Sequence, residues 1–409
     1  MFFTKDNLVE TRNTGFFIWI GELNKYVLGY IDIWLDFHKD DNFELWIDPN
    51  AVLASHLREL ITHNIDKPTK KEDILSKQDM FVNYAMNHAC KSLDEIIINF
   101  AKEYHPSLVS KLLHVIDSNL ITIQQVNKRL QIRKIQDSTF YDSSTHNFYL
   151  RELMLRQNLA AASDLIRLSI LYNEGGTYID ADTLPNLFNL VFEPCFSDTN
   201  SILELFTSEM LIRRLYPELI TLDNESINTL KNIIKKTNFD IFYKSIKGIN
   251  DIKISEINLN LDDTCLKDAL HLSLKGDKEF NNNILRAHKY SRSVRIIIKE
   301  ILRRYKYINK MGFDKSKNCK IKLTNYYDRL SNYRLDGLED IENVTLILTG
   351  PIVILEVLIG ISYSLKGVDN ETTESEICAM MIDDPYSLGI TEQTRMTGQE
   401  TKSSWLKTI

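Results

Sequence analysis

Asn158-Leu-Ala-Ala-Ala-Ser163-Asp164-Leu-Ile-Arg167-Leu-Ser-Ile-Leu-Tyr-Asn-Glu-Gly175-Gly176-Thr-Tyr178-Ile-Asp180-Ala-Asp182 is the stretch around which the rest of the chain can be read. Asp164 and Arg167 stand one turn apart and share a helix face. The small residues Ala160–Ser163 let that helix come close to other backbone or to a ligand. Gly175-Gly176 then turn the chain into a short strand at Thr177–Ile179, which delivers Asp180 and Asp182 at its end. Open α/β sheets bind ligands at the carboxyl ends of their strands. In an Asp-x-Asp unit placed there, one carboxylate can take a divalent cation while the other takes a sugar hydroxyl. A hard cation, Mg2+ or Mn2+, suits such oxygen ligands and bridges diphosphate oxygens. A buried Asp–Arg pair and two surface aspartates beside a turn would explain each feature singly. The full set in this order and spacing is what points to chemistry.

The flanking segments fit an α/β frame. Phe16–Ile20 is an apolar run of strand length ended by Gly21, Tyr26–Phe37 carries helical spacing, and Phe43–Asp48 is a second strand closed by Pro49-Asn50. Strand, helix and strand within this length predict a parallel βαβ unit. From Ala51 to about Asp137 the pattern is helical and polar, which predicts a helical insertion. Phe148–Tyr172 reads as one long amphipathic helix, and 202–310 alternates helical stretches with irregular pieces. Val344–Leu365 approaches the length of a membrane span, but Gly350-Pro351 breaks it and Glu356 charges it. A buried strand at Val344–Leu348, a Gly-Pro turn and a packed helix are expected instead, with no transmembrane segment.

Composition narrows the function classes. The chain has 409 residues, 44% of them hydrophobic, with a net charge of −7. That is ample for a sizeable core and gives no nucleic-acid footprint. Five cysteines (Cys90, Cys195, Cys265, Cys319 and Cys378) are scattered with no Cys-x-x-Cys pair, so neither a disulfide framework nor a zinc site is expected and the working compartment is expected to be reducing. The first residues lack the basic start and apolar core of a cleavable signal peptide.

On these residues the chain resembles the glucosyltransferase domain of the large clostridial glucosylating toxins and related bacterial effector glycosyltransferases. The match is dense over Phe148–Pro185. It recurs at Phe17-Ile-Trp19-Ile-Gly21, Asp48-Pro-Asn50-Ala, Asn281–Tyr305, Thr349-Gly-Pro351 and Glu400-x-x-Ser403-x-Trp405. The resemblance implies a GT-A (Rossmann-like) α/β fold with a mixed sheet and large helical insertions. It also implies a single catalytic domain over 1–409, with insertions at about 52–145 and 202–275 and a C-terminal active-site loop at about 385–409.

Roles follow by the same resemblance. Trp19 is expected to stack on uracil, Asn50 to contact the uridine, and Ser163 and Tyr178 to line the nucleotide pocket. Asp164 and Arg167 resemble the pair that hydrogen-bonds the transferred sugar, and Asn282 a sugar-contacting asparagine. Asp180 resembles the carboxylate that holds ribose and sugar hydroxyls. Asp182 resembles the direct metal ligand, with Glu400 and Ser403 as the further metal-site residues. Trp405 resembles a loop indole that reaches the glycosidic oxygen.

The implied activity is metal-dependent (Mn2+ or Mg2+) transfer of a hexose from UDP-glucose or UDP-N-acetylglucosamine, with retention of configuration. The implied acceptor is a hydroxyl side chain of a host protein, a Rho- or Ras-type small GTPase. The enzyme would be a monomer, secreted or injected by a bacterium and acting in the host cytosol.

Two departures stand out. The family's membrane-targeting four-helix bundle precedes its first strand, whereas here Trp19 lies close to Met1. The residues flanking Asn282, which track donor choice in the family, are Asn281 and Asn283, of intermediate size and polar. Two other readings compete: an Asp-x-Asp enzyme adding mannose or galactose to cell-surface glycans, and a non-catalytic UDP-sugar-binding module.

Overall fold

The computed structural model describes residues 8–62, 71–88, 92–185, 216, 258–261, 264–275, 279–315, 325–336, 344–366, 392–393 and 397–398. A seven-stranded mixed sheet forms the centre. Its strands are β2 (Thr14–Trp19), β3 (Asn42–Ile47), β4 (Leu130–Lys134), β5 (Gly176–Ile179), β8 (His271–Lys275), β9 (Glu279–Ala287) and β10 (Glu392–Gln393). They lie in the order β10-β8-β9-β5-β2-β3-β4. β5, β2, β3 and β4 run parallel, and β9 is antiparallel to both β5 and β8. The predicted βαβ unit is present, with α1 (Lys25–Phe37) crossing between β2 and β3.

Alternation along β2 explains why both faces of the sheet are covered. Phe16 and Ile18 enter one apolar cluster, whereas Phe17 enters the other. Successive strand side chains point to opposite faces, so a continuous apolar run means a strand buried on both. One cluster packs under α1, through Ile31, Trp34 and Leu35. The larger cluster packs under α7 (Leu159–Asn173) and α8 (Arg292–Met311), and β5 is delivered between the two.

Four sequence expectations are corrected here. The predicted insertion at about 52–145 holds helices α2 (Ala54–Thr62), α3 (Lys71–Met86), α4 (Leu93–Tyr104) and α5 (Val109–Gln124), but also β4, an edge strand of the sheet. The segment 202–275, expected to be helical, ends in β7 (Thr264–Leu266), which pairs antiparallel with β1 (Leu8–Glu10), and in β8, and most of it lies outside the described residues. Val344–Leu348 is a short helix, α9, and not a strand. The Asp336 carboxylate accepts the backbone N–H groups of Val344 (2.7 Å) and Thr345 (2.9 Å), capping a helix start whose β-branched residues favoured extension. α10 (Pro351–Lys366) follows as expected. The apolar run Val344–Ile361 has a mean hydropathy of 2.4 and is half buried. Within it Glu356 pairs with Arg304 (2.6 Å) and Arg329 (2.7 Å).

The fourth correction concerns Phe148–Tyr172, read as one helix. It is two, α6 (Ser143–Arg151) and α7, separated by a π-helical turn at Glu152–Arg156 and by Gln157 at φ 51°. A buried polar network fixes this break. Glu152, fully buried, accepts from Arg156 (2.6 Å) and from the hydroxyls of Tyr305 (2.8 Å) and Tyr333 (2.7 Å). Arg156 also pairs with Asp336 and donates to Thr345 Oγ1 (3.1 Å), tying the break to the start of α9.

β8 carries an acid-sensitive element. His271 is 3% exposed, and its Nε2 accepts the Leu266 N–H at 3.2 Å. Burial, followed by the Arg286 charge, pushes its pKa down to about 3. The unfolded chain takes up a proton near pH 6.5, so this residue's contribution is full above that pH and is lost as pH falls towards 3. The loss is about 2 kcal/mol at pH 5. His271→Gln keeps an acceptor and removes the titration. Urea midpoints at pH 7 and pH 5 should therefore show a smaller acid loss in the variant, and equal losses would refute the assignment.

Candidate active site

The paired aspartates sit in a turn that the backbone holds at several points. Gly175 (φ +74°) and Gly176 (φ +104°) make the entry from α7 into β5. A side chain at Gly176 would meet the Thr14 carbonyl oxygen at 2.9 Å, so close strand approach and left-handed backbone both require glycine there. Beyond β5, Asp180 N–H donates to Asn283 O (2.7 Å), and Thr183 N–H donates back to Asp180 O (2.9 Å), closing the Asp-Ala-Asp turn. Trp34 Nε1 donates to Thr183 O (2.6 Å), and the Asn283 amide donates to Thr183 Oγ1 (3.3 Å). Trp34 and Asn283 are supporting residues that sequence reading did not single out as such, because their partner is far along the chain.

The turn divides the labour of the two carboxylates. Asp180 Oδ1 accepts from the Tyr178 hydroxyl and lies 3.4 Å from Arg167 Nη2. Asp182, two residues on, is exposed. Although its edge reaches solvent, the surrounding protein desolvates it, and with the charge of Asp180 this pushes its pKa up to about 6. Burial likewise raises the pKa of Asp180, against the pull of Arg167 and Tyr178.

Asp164 and Arg167 lie under the turn. Arg167 Nη2 meets Asp164 Oδ1 at 2.9 Å, its Nη1 donates to Asn282 O at 2.8 Å, and its guanidinium lies 4.3 Å over the Tyr178 ring. Both side chains are nearly inaccessible. Burial works against the charge on Arg167, but Tyr178, Asp164 and Asp180 outweigh it and its pKa is raised. Burial pushes Asp164 up to about 6 even with Arg167 and Thr349 opposing it. Tyr178 is buried, and desolvation, opposed by Arg167 and reinforced by Asp180 and Asp164, raises its pKa and keeps the phenol neutral. It reaches the site through Asp180.

The other residues assemble along the same edge of the sheet. Trp19 ends β2 half-buried, with Nε1 donating to Glu22 O at 2.8 Å, and pairs in register with Ile47 at the end of β3. Asn50 is exposed in the following loop, which Asp48 holds by accepting the Asn50 N–H (2.9 Å) and the Tyr149 hydroxyl (2.6 Å). Ser163 is half-buried on α7 next to Asp164, and Asn282 is half-buried on β9. Glu400, Ser403 and Trp405 lie outside the described residues. The chain just before them is nonetheless placed. β11 (Thr397–Gly398) pairs antiparallel with β6 (Thr183–Leu184), setting Gly398 opposite Thr183, one residue after Asp182.

Among the described residues no group of three or more His, Cys, Asp or Glu converges as a metal cage. The donor set still suits a hard cation carried with a diphosphate. The exposed Asp182 carboxylate together with diphosphate oxygens would give Mg2+ or Mn2+ an all-oxygen environment.

Comparison with known proteins accords with this arrangement. The family model described as "TcdA/TcdB catalytic glycosyltransferase domain" matches residues 15–333. Toxin A of Clostridium novyi is 27% identical over 351 residues, covering 77% of this chain and 15% of that protein. Cytotoxin-L of Paraclostridium sordellii is 28% identical over 337 residues, covering 74% and 14%. The chain thus spans about 15% of the length of these curated relatives. The crystal structure of the catalytic domain of alpha-toxin from Clostridium novyi matches with a TM-score of 0.71 at 21% identity, covering 97% of this chain and 80% of that one. The UDP-bound glycosyltransferase domain from the YGT toxin matches with a TM-score of 0.63 at 16% identity, covering 97% and 82%. The mixed sheet and its helices are the GT-A fold.

Proposed function

The chain belongs to the TcdA/TcdB catalytic glycosyltransferase domain family, and from that premise we propose that it transfers a hexose from UDP-glucose or UDP-N-acetylglucosamine to a hydroxyl side chain of a host protein. The acceptor proposed is a Rho- or Ras-type small GTPase. The setting is the host cytosol, reached after secretion or injection by a bacterium. One observation carries the reading: the Asp-Ala-Asp turn sets one carboxylate against Arg167 and Tyr178 and leaves the other exposed. UDP in the YGT toxin domain supports the choice of donor.

In this reading Trp19 stacks on uracil and Asn50 contacts the uridine. Ser163 lines the nucleotide pocket and Asp180 holds ribose and sugar hydroxyls, with Tyr178 fixing the Asp180 carboxylate. Asp164, Arg167 and Asn282 hold the hexose. Asp182, Glu400 and Ser403 hold Mn2+ or Mg2+, and Trp405 covers the glycosidic oxygen. A cation so held offsets the charge that develops on the departing diphosphate. Asp164 and Asp180 are both engaged by Arg167, which makes each a poor nucleophile, so with the retention that the family resemblance implies, front-face attack is proposed over a covalent intermediate. In that mechanism a donor phosphate oxygen takes the acceptor proton. An inverted product would sink it.

Intact-mass analysis of purified small GTPases incubated with the protein, Mn2+ and either donor tests the proposal. A hexose or N-acetylhexosamine increment is expected, abolished by EDTA and by Asp180→Asn/Asp182→Asn. Turnover of the UDP-sugar with no increment would refute the GTPase acceptor and turn attention to other proteins or glycans. No turnover of any UDP-sugar would leave a binding module.

A further inference from the structure

Thr349 directly follows the short helix α9, at the break before α10, and belongs to the Thr349-Gly-Pro351 stretch to which no role has been given. It is fully buried, and its hydroxyl donates to Asp164 Oδ2 at 2.8 Å. The other oxygen of the same carboxylate, Oδ1, meets Arg167 at 2.9 Å. A carboxylate offers about four lone-pair sites, so one anchor on each oxygen fixes the plane of the group and leaves a site on each for a ligand hydroxyl.

The backbone that carries Thr349 is itself held in place. Thr349 N–H (3.1 Å) and Gly350 N–H (2.9 Å) both donate to Thr345 O, closing the end of α9. A side chain at position 350 would approach Leu346 Cα at 3.0 Å, so this turn is shaped for glycine. Thr345 in turn is bound by Asp336, by Arg156 and by the Asn158 amide (2.6 Å), which joins it to the π-helical break ahead of α7. The helix bearing Asp164 and the turn bearing Thr349 are therefore braced against each other from both ends of the network.

We propose that Thr349 is a positioning residue for the reaction, whose hydroxyl sets the rotation of the Asp164 carboxylate against the transferred hexose. The inference rests on the proposed contact between Asp164 and the sugar. A purely structural hydroxyl would alter folding stability while leaving sugar handling intact. A positioning hydroxyl acts on turnover through Asp164 and leaves the uridine half of the site alone. Displacement of a sugar-orienting group by a fraction of an ångström to 1 Å costs up to about 100-fold in rate.

The test compares the parent with Thr349→Val, Thr349→Ser, Asp164→Asn and the Asp164→Asn/Thr349→Val double variant. Steady-state hydrolysis of UDP-glucose and of UDP-N-acetylglucosamine is measured with Mn2+, alongside UDP binding by calorimetry. Thr349→Val should lower kcat by roughly 10- to 100-fold with UDP affinity unchanged, and Thr349→Ser should stay within about threefold of the parent. The double variant should be no slower than Asp164→Asn alone, because both changes act on one carboxylate. Parental turnover in Thr349→Val, equal damage in the serine variant, or multiplying effects would each overturn the proposal. Parental turnover in Asp164→Asn would instead overturn the sugar-contact reading beneath it. Should the valine variant fail to fold, Thr349→Ala replaces it. Serine must then exceed alanine at least tenfold, and equality overturns the proposal.

Discussion

Asp182→Asn is expected to abolish Mn2+ binding and to lower UDP-sugar turnover about 1000-fold or more. The expectation comes from the asymmetry of the Asp-Ala-Asp turn. Asp180 is engaged by Tyr178 and Arg167, whereas Asp182 is exposed, one residue ahead of the pairing with the strand that precedes Glu400 in sequence. Asparagine keeps the size of the side chain and removes the charge. Because Asp182 is exposed, its loss should not lower thermal stability. Asp180→Asn should behave differently, retaining Mn2+ affinity while leaving Arg167 short of a counter-charge. Calorimetric Mn2+ titration separates the two variants. Unchanged Mn2+ affinity in Asp182→Asn, with turnover intact, would move the metal site elsewhere.

The largest effect on folding is expected at Arg156. Arg156→Met should destabilise the protein by about 3–5 kcal/mol, the usual cost of removing one partner from a buried ion network. Glu152 and Asp336 would both remain buried without their shared cation, and Thr345 would lose a donor. Tyr305 and Tyr333 would still donate to Glu152, which keeps the loss below that of a bare carboxylate. Equilibrium urea unfolding measures the difference. A change under about 1 kcal/mol would mean that methionine packing makes up for the lost ion pairs, as it does in some buried networks.

The central motif was legible because its signals are local. The i, i+3 spacing of Asp164 and Arg167 foretold their 2.9 Å contact, and Gly175-Gly176 foretold the entry into β5. Phe16–Ile20 and Phe43–Ile47 read as strands because both faces of each are buried. β9 was hidden by Asn281-Asn-Asn283, poor strand formers on their own. Hydrogen bonding to β5 on one side and β8 on the other supplies what propensity lacks. β4 was hidden for a different reason: at the sheet edge only Leu130 is fully buried, so its apolar signal is weak. The π-helical break carries no Gly or Pro to mark it, and its cause lies in Tyr305, Tyr333 and Asp336, more than a hundred residues downstream. The contact between Thr349 and Asp164 spans 185 positions and left only a short motif in the sequence.

The bond from Asn283 to Thr183 bridges 100 positions, and Asp180 N–H is held by the same residue. The Asp-Ala-Asp turn is therefore closed by a strand that leaves the ribosome long after the aspartates themselves. Closing a loop of that length costs chain entropy before the contact returns any of it, so pairings of this kind form late in folding. A nascent or clipped chain ending ahead of β9 carries every residue of the Asp-Ala-Asp unit and its Trp34 bond, but lacks both Asn283 contacts that close the turn. The proposed activity is therefore expected only once the topology is complete.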